Sequence, residues 1–510
     1  MSDLHVVPQT WRWVTLSDVA EIVTGNTPPT SSSDNYGGDI PFFKPPQLND
    51  LPVTDAPETL SEKGLEKARL LPPKSVLVSC IGILGKTAIT KTYSATNQQI
   101  NAVVFETSVQ PEYGFYYTQT LSNWLKEHSS ATTVAIINKG KFEVAPFPLP
   151  PVAEQIRIVA KLEELLSDLD AGVAELKAAQ KKLTQYRQAL LKAAVEGSLT
   201  AEWRAKNTPA ETGAQLLERI LTERRARWEA KQLAKFKEQG KTPPKDWQKK
   251  YPEPVQPDTA DLPELPEGWV WASLDMIGEI ASGVAKGTKR DADTVVHEVH
   301  YLRVANVQRG YLDLSEVKTI LATQRDIEEL ALIDGDVLFN EGGDRDKLGR
   351  GWVWREEVAT CIHQNHVFRM RPYLPETLSE LISHHGNTFG KRWFQNAGKQ
   401  TTNLASINMT MLRAFPVPVA PAEEQLEILE QIQTQLESLS QQERATDVVM
   451  KQSVAQRQNI LRAAFSGQLV PQDPNDEPAS MLLARIRAER AAKSTVNKPR
   501  GRKAKESAYA

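Results

Sequence analysis

Two stretches of the chain are near twins. Arg187–Thr200 reads RQALLKAAVEGSLT, and 270 residues later Arg457–Val470 reads RQNILRAAFSGQLV. That spacing is far too long for a solenoid array, whose periods run about 20–50 residues, so it marks a duplicated half. The repeat extends in both directions. Trp11-Arg-Trp13-Val-Thr-Leu16 and Glu21-Ile22-Val-Thr-Gly25 return as Trp269-Val-Trp271-Ala-Ser-Leu274 and Glu279-Ile280-Ala-Ser-Gly283, offset by 258. Phe147-Pro-Leu-Pro150, followed by Glu154-Gln155, returns as Phe415-Pro-Val-Pro418, followed by Glu424-Gln425. Leu216-Leu217-Glu-Arg219-Ile220 returns as Leu482-Leu483-Ala-Arg485-Ile486. Each half is therefore a variable block, a long segment and a short basic helix.

The long segments carry a heptad period. Val159, Leu162, Leu166, Leu169, Val173, Leu176, Leu183 and Leu190 follow three-then-four spacing, with Gln180 and Arg187 in the missing places. The second copy offers Leu429, Ile432, Leu436, Leu439, Met450 and Ile460, with Glu443, Thr446 and Ser453 on the seam. Pro151 and Pro421 stand where each helix begins, and Glu154, Glu423 and Glu424 occupy the favourable first turn. Each helix is expected to run about 40 residues, roughly 60 Å, and packing one on the other buries both stripes.

The variable blocks read as mixed α/β. Ile40–Lys44, Ser75–Cys80, Tyr301–Asn306 and Asp336–Asn340 are expected strands, Pro111–His128 and Pro375–Ala397 expected helices, and Gly25–Gly38 and Gly342–Gly351 expected loops. Lys241–Pro266, rich in proline and polar residues, reads as an extended linker.

Chemistry is sparse. Cys80 and Cys361 are too few for a disulfide framework or a thiolate zinc site, which fits a reducing compartment. Cys80-Ile-Gly-Ile-Leu-Gly85-Lys86-Thr87 ends like a phosphate loop, but its first glycine is missing. Phe43-Lys-Pro-Pro-Gln47 has the outline of an amino-methyltransferase motif, yet Lys44 cannot accept from an amine and Gln47 cannot stack on a base. His297 with His300, and His363 with His366, lie on expected strands, where their spacing gives no helical metal pair. No run suits a membrane span or a signal peptide, so a cytoplasmic protein without a membrane partner is expected. The net charge of −3 hides local excesses: Ala201–Lys250 holds thirteen Lys or Arg against seven Asp or Glu, and Arg485–Ala510 holds nine against two.

The duplicated order of variable block, Phe-Pro-x-Pro with Glu-Gln and heptad helix, then Arg-Gln-x-x-Leu-x-x-Ala-x-x-Gly-x-Leu, resembles the specificity subunits of type I restriction-modification systems over nearly the whole chain. The resemblance implies an α+β architecture with an internal pseudo-twofold repeat, in which two mixed α/β target recognition domains are joined by two long helices forming an antiparallel coiled coil. Its segments are 1–150 and 266–420 (recognition domains), 151–200 and 421–470 (coiled-coil helices), 201–265 (basic helix and linker) and 471–510 (short helix and basic tail). It implies a non-catalytic chain that reads a bipartite, asymmetric site in double-stranded DNA. Two modification (methyltransferase) subunits and the restriction subunits are the implied partners. S-adenosylmethionine, ATP and Mg belong to those partners, with no cofactor or metal in this chain. A protein-binding coiled-coil scaffold and a self-contained methyltransferase are the alternatives.

Base reading needs side-chain donors and acceptors, with Lys and Arg on phosphates. The candidates in the first block are Lys44, Gln47, Lys86, Asn97, Gln98, Thr132, Thr133, Lys139 and Lys141. In the second they are Lys289, Arg290, Arg303, Asn306, Arg345, Lys347, Arg350, Lys399, Gln400, Thr401 and Thr402. Arg303 leads, because Tyr-Leu-Arg-Val-Ala-Asn resembles a strand motif of such domains; Lys44 stands at its counterpart and lacks the guanidinium fork.

Overall fold

The computed structural model describes residues 5–130, 134–285, 287, 294–343, 345–397, 399–400 and 405–496. The chain divides into two compact units, Met1–Lys177 with Asp447–Ala510, and Ala178–Thr446. Four long helices lie outside the variable blocks among the described residues, with a short one at Ala201–Lys206: Val152–Val195 (α1), Gly213–Glu238 (α2), Ala422–Phe465 (α3) and Ala479–Val496 (α4). Helices α1 and α3 are 44 residues each, about 66 Å at ~1.5 Å per residue. They start directly after Pro151 and Pro421, as the sequence indicates. Both helices pass a unit boundary, so each unit holds the start of one and the end of the other.

In the first unit, strands run in the order Ala20–Thr24, Ile100–Phe105, Val76–Ser79, Thr87–Thr90, Leu51–Val53. A second sheet orders Thr59–Leu60, Tyr36–Phe43 and Ala95–Thr96, the last pair parallel. In the second unit, Gly278–Ser282, Val367–Pro372, Val337–Asn340 and Gly351–Val353 form the larger sheet, and Lys318–Ala322, His297–Leu302 and Cys361–His363 the smaller, its last pair again parallel. Antiparallel ribbons close the blocks: Arg12–Thr15 with Pro146–Leu149, and Val270–Ser273 with Pro416–Val419. Among the described residues neither unit closes a barrel.

The first core joins Trp11, Tyr113, Phe147, Leu162 and Leu166 to Ile460, Leu461 and Phe465. The second gathers Leu216, Ile220, Phe339, Phe394 and Phe415. Each such side chain contributes about 1.5–3 kcal/mol by leaving water. Within the first unit the start of α1 meets the end of α3, with Arg457 on Asp170 at 2.9 Å. Within the second, Ala194 packs with Ile428 and Ile432, while Arg187 reaches Glu443 at 2.9 Å, so the helices run antiparallel there. Two polar seam positions thus pair with each other. At the start of α1, Ile158 is buried and Val159 only half-buried, and the seam from Leu169 to Leu183 is half-buried throughout, as expected for a stripe covered by a single partner helix.

Several sequence expectations shift locally. The Pro375–Ala397 helix is two, Ser379–Asn387 and Phe389–Ala397, and Pro111–His128 breaks at a 3-10 turn, Gln119–Leu121. The strand expected over Tyr301–Asn306 ends at Leu302, because the Asn306 amide folds onto Asp313 O and Glu316 O and turns the chain. Lys241–Pro266 does not run free: Tyr251 and Pro252 return to Arg224 on α2.

The repeated motifs form one knot in each unit. Trp11 Nε1 donates to buried Glu154 at 2.8 Å, and Trp269 Nε1 to buried Glu424 at 2.9 Å. Gln472 also holds Glu154, whereas Thr200 and Arg204 hold Glu424. With no arginine bonded to it, the Glu154 carboxyl is raised above its ordinary value, chiefly by burial and against the bonds from Trp11 and Gln472. The neighbouring glutamines clamp the block helices: Gln155 accepts from Gln110 N at 2.9 Å and Gln425 from Leu378 N at 3.3 Å, each at a helix start. Gly197 and Gly467 end the long helices at φ 73° and 74°, pressed on Pro266 with Trp269 and on Pro8 with Trp11.

Gly467→Ala should therefore cost at least about 1–2 kcal/mol for the left-handed backbone, and more for the contact with Pro8. Gly172→Ala, on an open face of α1, should instead gain about 0.5–1 kcal/mol. Denaturant melts of the full chain with opposite shifts confirm this assignment; equal shifts contradict it. Arg204→Ala leaves the buried Glu424 carboxylate without its counter-charge and should cost about 3–5 kcal/mol. The exposed pair Arg457 with Asp170, treated alike, should cost under about 1 kcal/mol.

Candidate nucleic-acid interface

The lead candidates occupy matching turns. In the first unit, strand Tyr36–Phe43 ends and Lys44 N donates to Gln47 Oε1 at 2.8 Å across a 3-10 turn, Pro45–Gln47. In the second, strand His297–Leu302 ends and Arg303 N donates to Asn306 Oδ1 at 3.0 Å. A glycine backs each turn's neighbour strand. A Cβ at Gly25 would meet Asn97 O at 2.1 Å, and one at Gly283 would meet His363 O at 1.9 Å.

Both leading cations carry a carboxylate. Lys44 Nζ pairs with Glu58 at 2.5 Å, and Arg303 Nη2 with Glu316 at 3.2 Å. The Glu316 carboxyl is held below its ordinary value, first by the hydrogen bond from Arg303 and then by Lys318. In both pairs the side chains keep solvent access, which lets an incoming phosphate or base edge compete for the cation.

Backbone bonds assemble the rest of the first cluster. Asn97 N donates to Phe43 O, Cys80 N to Gln99 O and Ile137 N to Cys80 O, which brings the turns holding Lys44, Gln98, Lys86 and the helix Lys139–Glu143 onto one side. Gln98 is exposed and accepts from Thr27; Lys139 pairs with Glu143, and Lys141 donates to His128 O. In the second cluster Arg350 Nη2 donates to Val304 O at 3.1 Å, tying it to the Arg303 turn. The 3-10 turn Arg345–Lys347 follows Gly342–Gly343, whose strand pairs with Ala405–Ser406, and Lys399–Gln400 pairs with that strand in turn. Thr132, Thr133, Lys289, Arg290, Thr401 and Thr402 lie outside the described residues.

Two candidates are corrected. Asn97 and Asn306 are buried, with their amides spent on Gln99 and on Asp313 O and Glu316 O, so they shape the turns and present nothing to a ligand. Gln47 likewise folds back on its own turn. Sequence reasoning missed Ile83, 66% exposed between Gly82 and Gly85, an apolar tip suited to a thymine methyl; the paired glycines around an isoleucine were its signal. It also missed Arg309, half-buried beside Arg350, whose guanidinium is lowered by burial and by that neighbour while donating to Asn387 O and Asp346 O.

Cys80 and Cys361 are buried and their thiols pushed up to about 12 by burial, so neither is a thiolate at neutral pH. Among the described residues no group of His, Cys, Asp and Glu could hold a metal ion, and no helix is long and apolar enough to cross a membrane.

Comparison with known proteins agrees with this geometry. Residues 8–180 match the type I restriction modification DNA specificity domain. The chain is 23% identical over 500 residues to the type I restriction enzyme EcoDI specificity subunit of Escherichia coli, covering 95% of this chain and 96% of that one. It is 22% identical to the EcoBI specificity subunit of the same organism, covering 96% and 95%. A solved chain from work on complex assembly and conformational transition of the type I R-M system shares the fold with a TM-score of 0.63 at 16% identity, covering 91% of this chain and 100% of that one. Over residues 8–180 the chain thus carries a match to this DNA specificity domain, and along nearly its whole length it is similar to type I specificity subunits.

Proposed function

We propose that this chain is the DNA-recognition subunit of a type I restriction-modification complex, and that each unit reads one half of a bipartite, asymmetric site in double-stranded DNA. The observation that carries the reading is the matched pair of turns, Lys44 to Gln47 and Arg303 to Asn306, set on matching sheets but surrounded by different side chains. Like scaffolds with unlike loops suit two unlike half-sites. Lys and Arg on the turns set the register on phosphates and the guanidinium fork reads guanine. The chain is the non-catalytic partner of two modification subunits and of restriction subunits in the cytoplasm, and S-adenosylmethionine, ATP and Mg are bound by those subunits. Segments 1–150 and 266–420 are the target recognition domains, and 151–200 and 421–470 form the antiparallel coiled coil of a pseudo-twofold repeat. The basic helix and linker are 201–265, and 471–510 is the short helix with its tail.

Sequencing of methylated motifs in cells carrying the chain with its modification subunit tests this reading directly. Arg303→Lys keeps the charge but loses the fork, so one position of one half-site should relax, with about 1–3 kcal/mol of discrimination lost and the other half-site unchanged. Relaxation in both half-sites, or none, contradicts one unit per half-site.

The helices should act as a ruler. Inserting one heptad after Ala178 and another after Val448 keeps the seam in phase and adds about 10 Å to each helix. If the helices lie along the DNA, the unread spacer should lengthen by about three base pairs at ~3.4 Å each while both half-sites keep their bases. An active variant with the original spacer shows that the helices do not set the distance.

A further inference from the structure

Helix α2 outruns its role in the core. Its last buried residue is Arg224, yet it continues to Glu238. It advances along the second unit in the direction of strand Gly278–Ser282: Arg224 donates to Asp275 O, Arg227 to Tyr373 O and Lys231 to Glu279, and Glu238 lies near enough to Arg325 to raise its guanidinium further above a first effect from Glu329. That strand leads in sequence toward Lys289 and Arg290.

The chain then hooks back along the helix. Trp247 stacks on Trp228 at 5.7 Å between centroids, Phe236 meets Trp247 edge-on, and Tyr251 meets Trp228 edge-on. Arg224 closes the hook through the Tyr251 hydroxyl and Pro252 O. In the repeat the position of Trp228 falls on Ser494, which has no indole to stack.

What the hook orders is charge. Lys235, Lys237, Lys241, Lys245, Lys249 and Lys250 are all exposed, against Glu238 and Asp246 in the same stretch. Lys249 pairs with Asp246, while Lys235, Lys237, Lys245 and Lys250 have no ion-pair partner among the described residues. Exposed ammonium groups on long stems are point charges without a planar fork, suited to phosphate and not to base edges.

We propose that this hooked lysine strip binds the phosphate backbone of DNA flanking the half-site read by the second unit, adding affinity without specificity. The inference rests on the DNA-recognition reading. The test replaces Lys237, Lys241, Lys245 and Lys250 by Gln in the full chain assembled with its modification subunits. Binding is measured over a salt series on duplexes bearing the methylated motif, with a long flank or trimmed just outside either half-site, and on a duplex lacking the motif. Each phosphate contact contributes about 0.9 to the slope of log affinity against log salt, so the variant's slope should be shallower by about 2–4 on long duplexes. The methylated motif should stay the same, and the difference from wild type should vanish when the second half-site's flank is trimmed.

An unchanged slope with the motif still preferred overturns the strip alone. A difference that survives trimming beyond the second half-site overturns its placement. Loss of modification subunits in native mass spectrometry, with DNA slope intact, assigns the strip to an acidic protein surface and overturns the proposal. A wild-type complex that shows no motif preference defeats the recognition reading and this inference with it.

Discussion

Everything in each unit hangs on a carboxylate taken out of water. Glu154 and Glu424 are buried at the first turns of the long helices, where the helix N-terminus favours negative charge. An indole from the start of the variable block and a group from beyond the end of the opposite repeat converge on each: Trp11 with Gln472 on Glu154, and Trp269 with Thr200 and Arg204 on Glu424. Leaving such a carboxylate unpaired costs several kcal/mol, so the three segments are bound to come together or not at all. The spelling shared by the two halves, tryptophan, Glu-Gln and Gly-x-Leu, is the spelling of this knot.

The knot also explains what could and could not be read in advance. The two prolines located the starts of both long helices to within a residue, because that signal is local, whereas the helices end at Val195 and Phe465, short of the expected 200 and 470. The candidate turns were half legible: Tyr301–Asn306 was read as strand throughout, since only the fold brings Asp313 and Glu316 within reach of the Asn306 amide. Asn97 and Asn306 look like base readers in a sequence and are turn-formers in three dimensions. Least legible was the composition of the units. A linear reading divides the chain at 150, 200, 265, 420 and 470, whereas each compact unit takes one end of α1 and the other end of α3. Contacts between residues some 290 positions apart, such as Asp170 with Arg457, leave no local trace.

The polar residues on the heptad seam fit the same logic. An all-leucine stripe can slide by a heptad at little cost, while a charge on the seam must meet its opposite. Arg187 with Glu443 in one unit, and the seam residue Arg457 with Asp170 beside the seam in the other, favour one antiparallel register on each helix pair. Both pairs are partly exposed, so their contribution to stability is small and their value lies in the alignments they disfavour. The proposed ruler role would need this more than it needs strength.

A comparable economy holds at the candidate turns. Lys44 and Arg303 are not free cations waiting for DNA; each is held by a carboxylate, Glu58 or Glu316. Any duplex must displace that carboxylate, and a bare phosphate offers little more than the glutamate it replaces. Glu316 engages only Nη2 of Arg303, so on the proposed reading a base edge presenting two acceptors can take the whole fork, and a site lacking one of them recovers less of what displacing the glutamate costs. On that reading specificity would come from a difference of affinities, built by lowering the common part. The lysine-bearing hook on α2 would restore that common part from outside the turns, where it cannot blur the reading: affinity and discrimination are then carried by separate surfaces of the same unit.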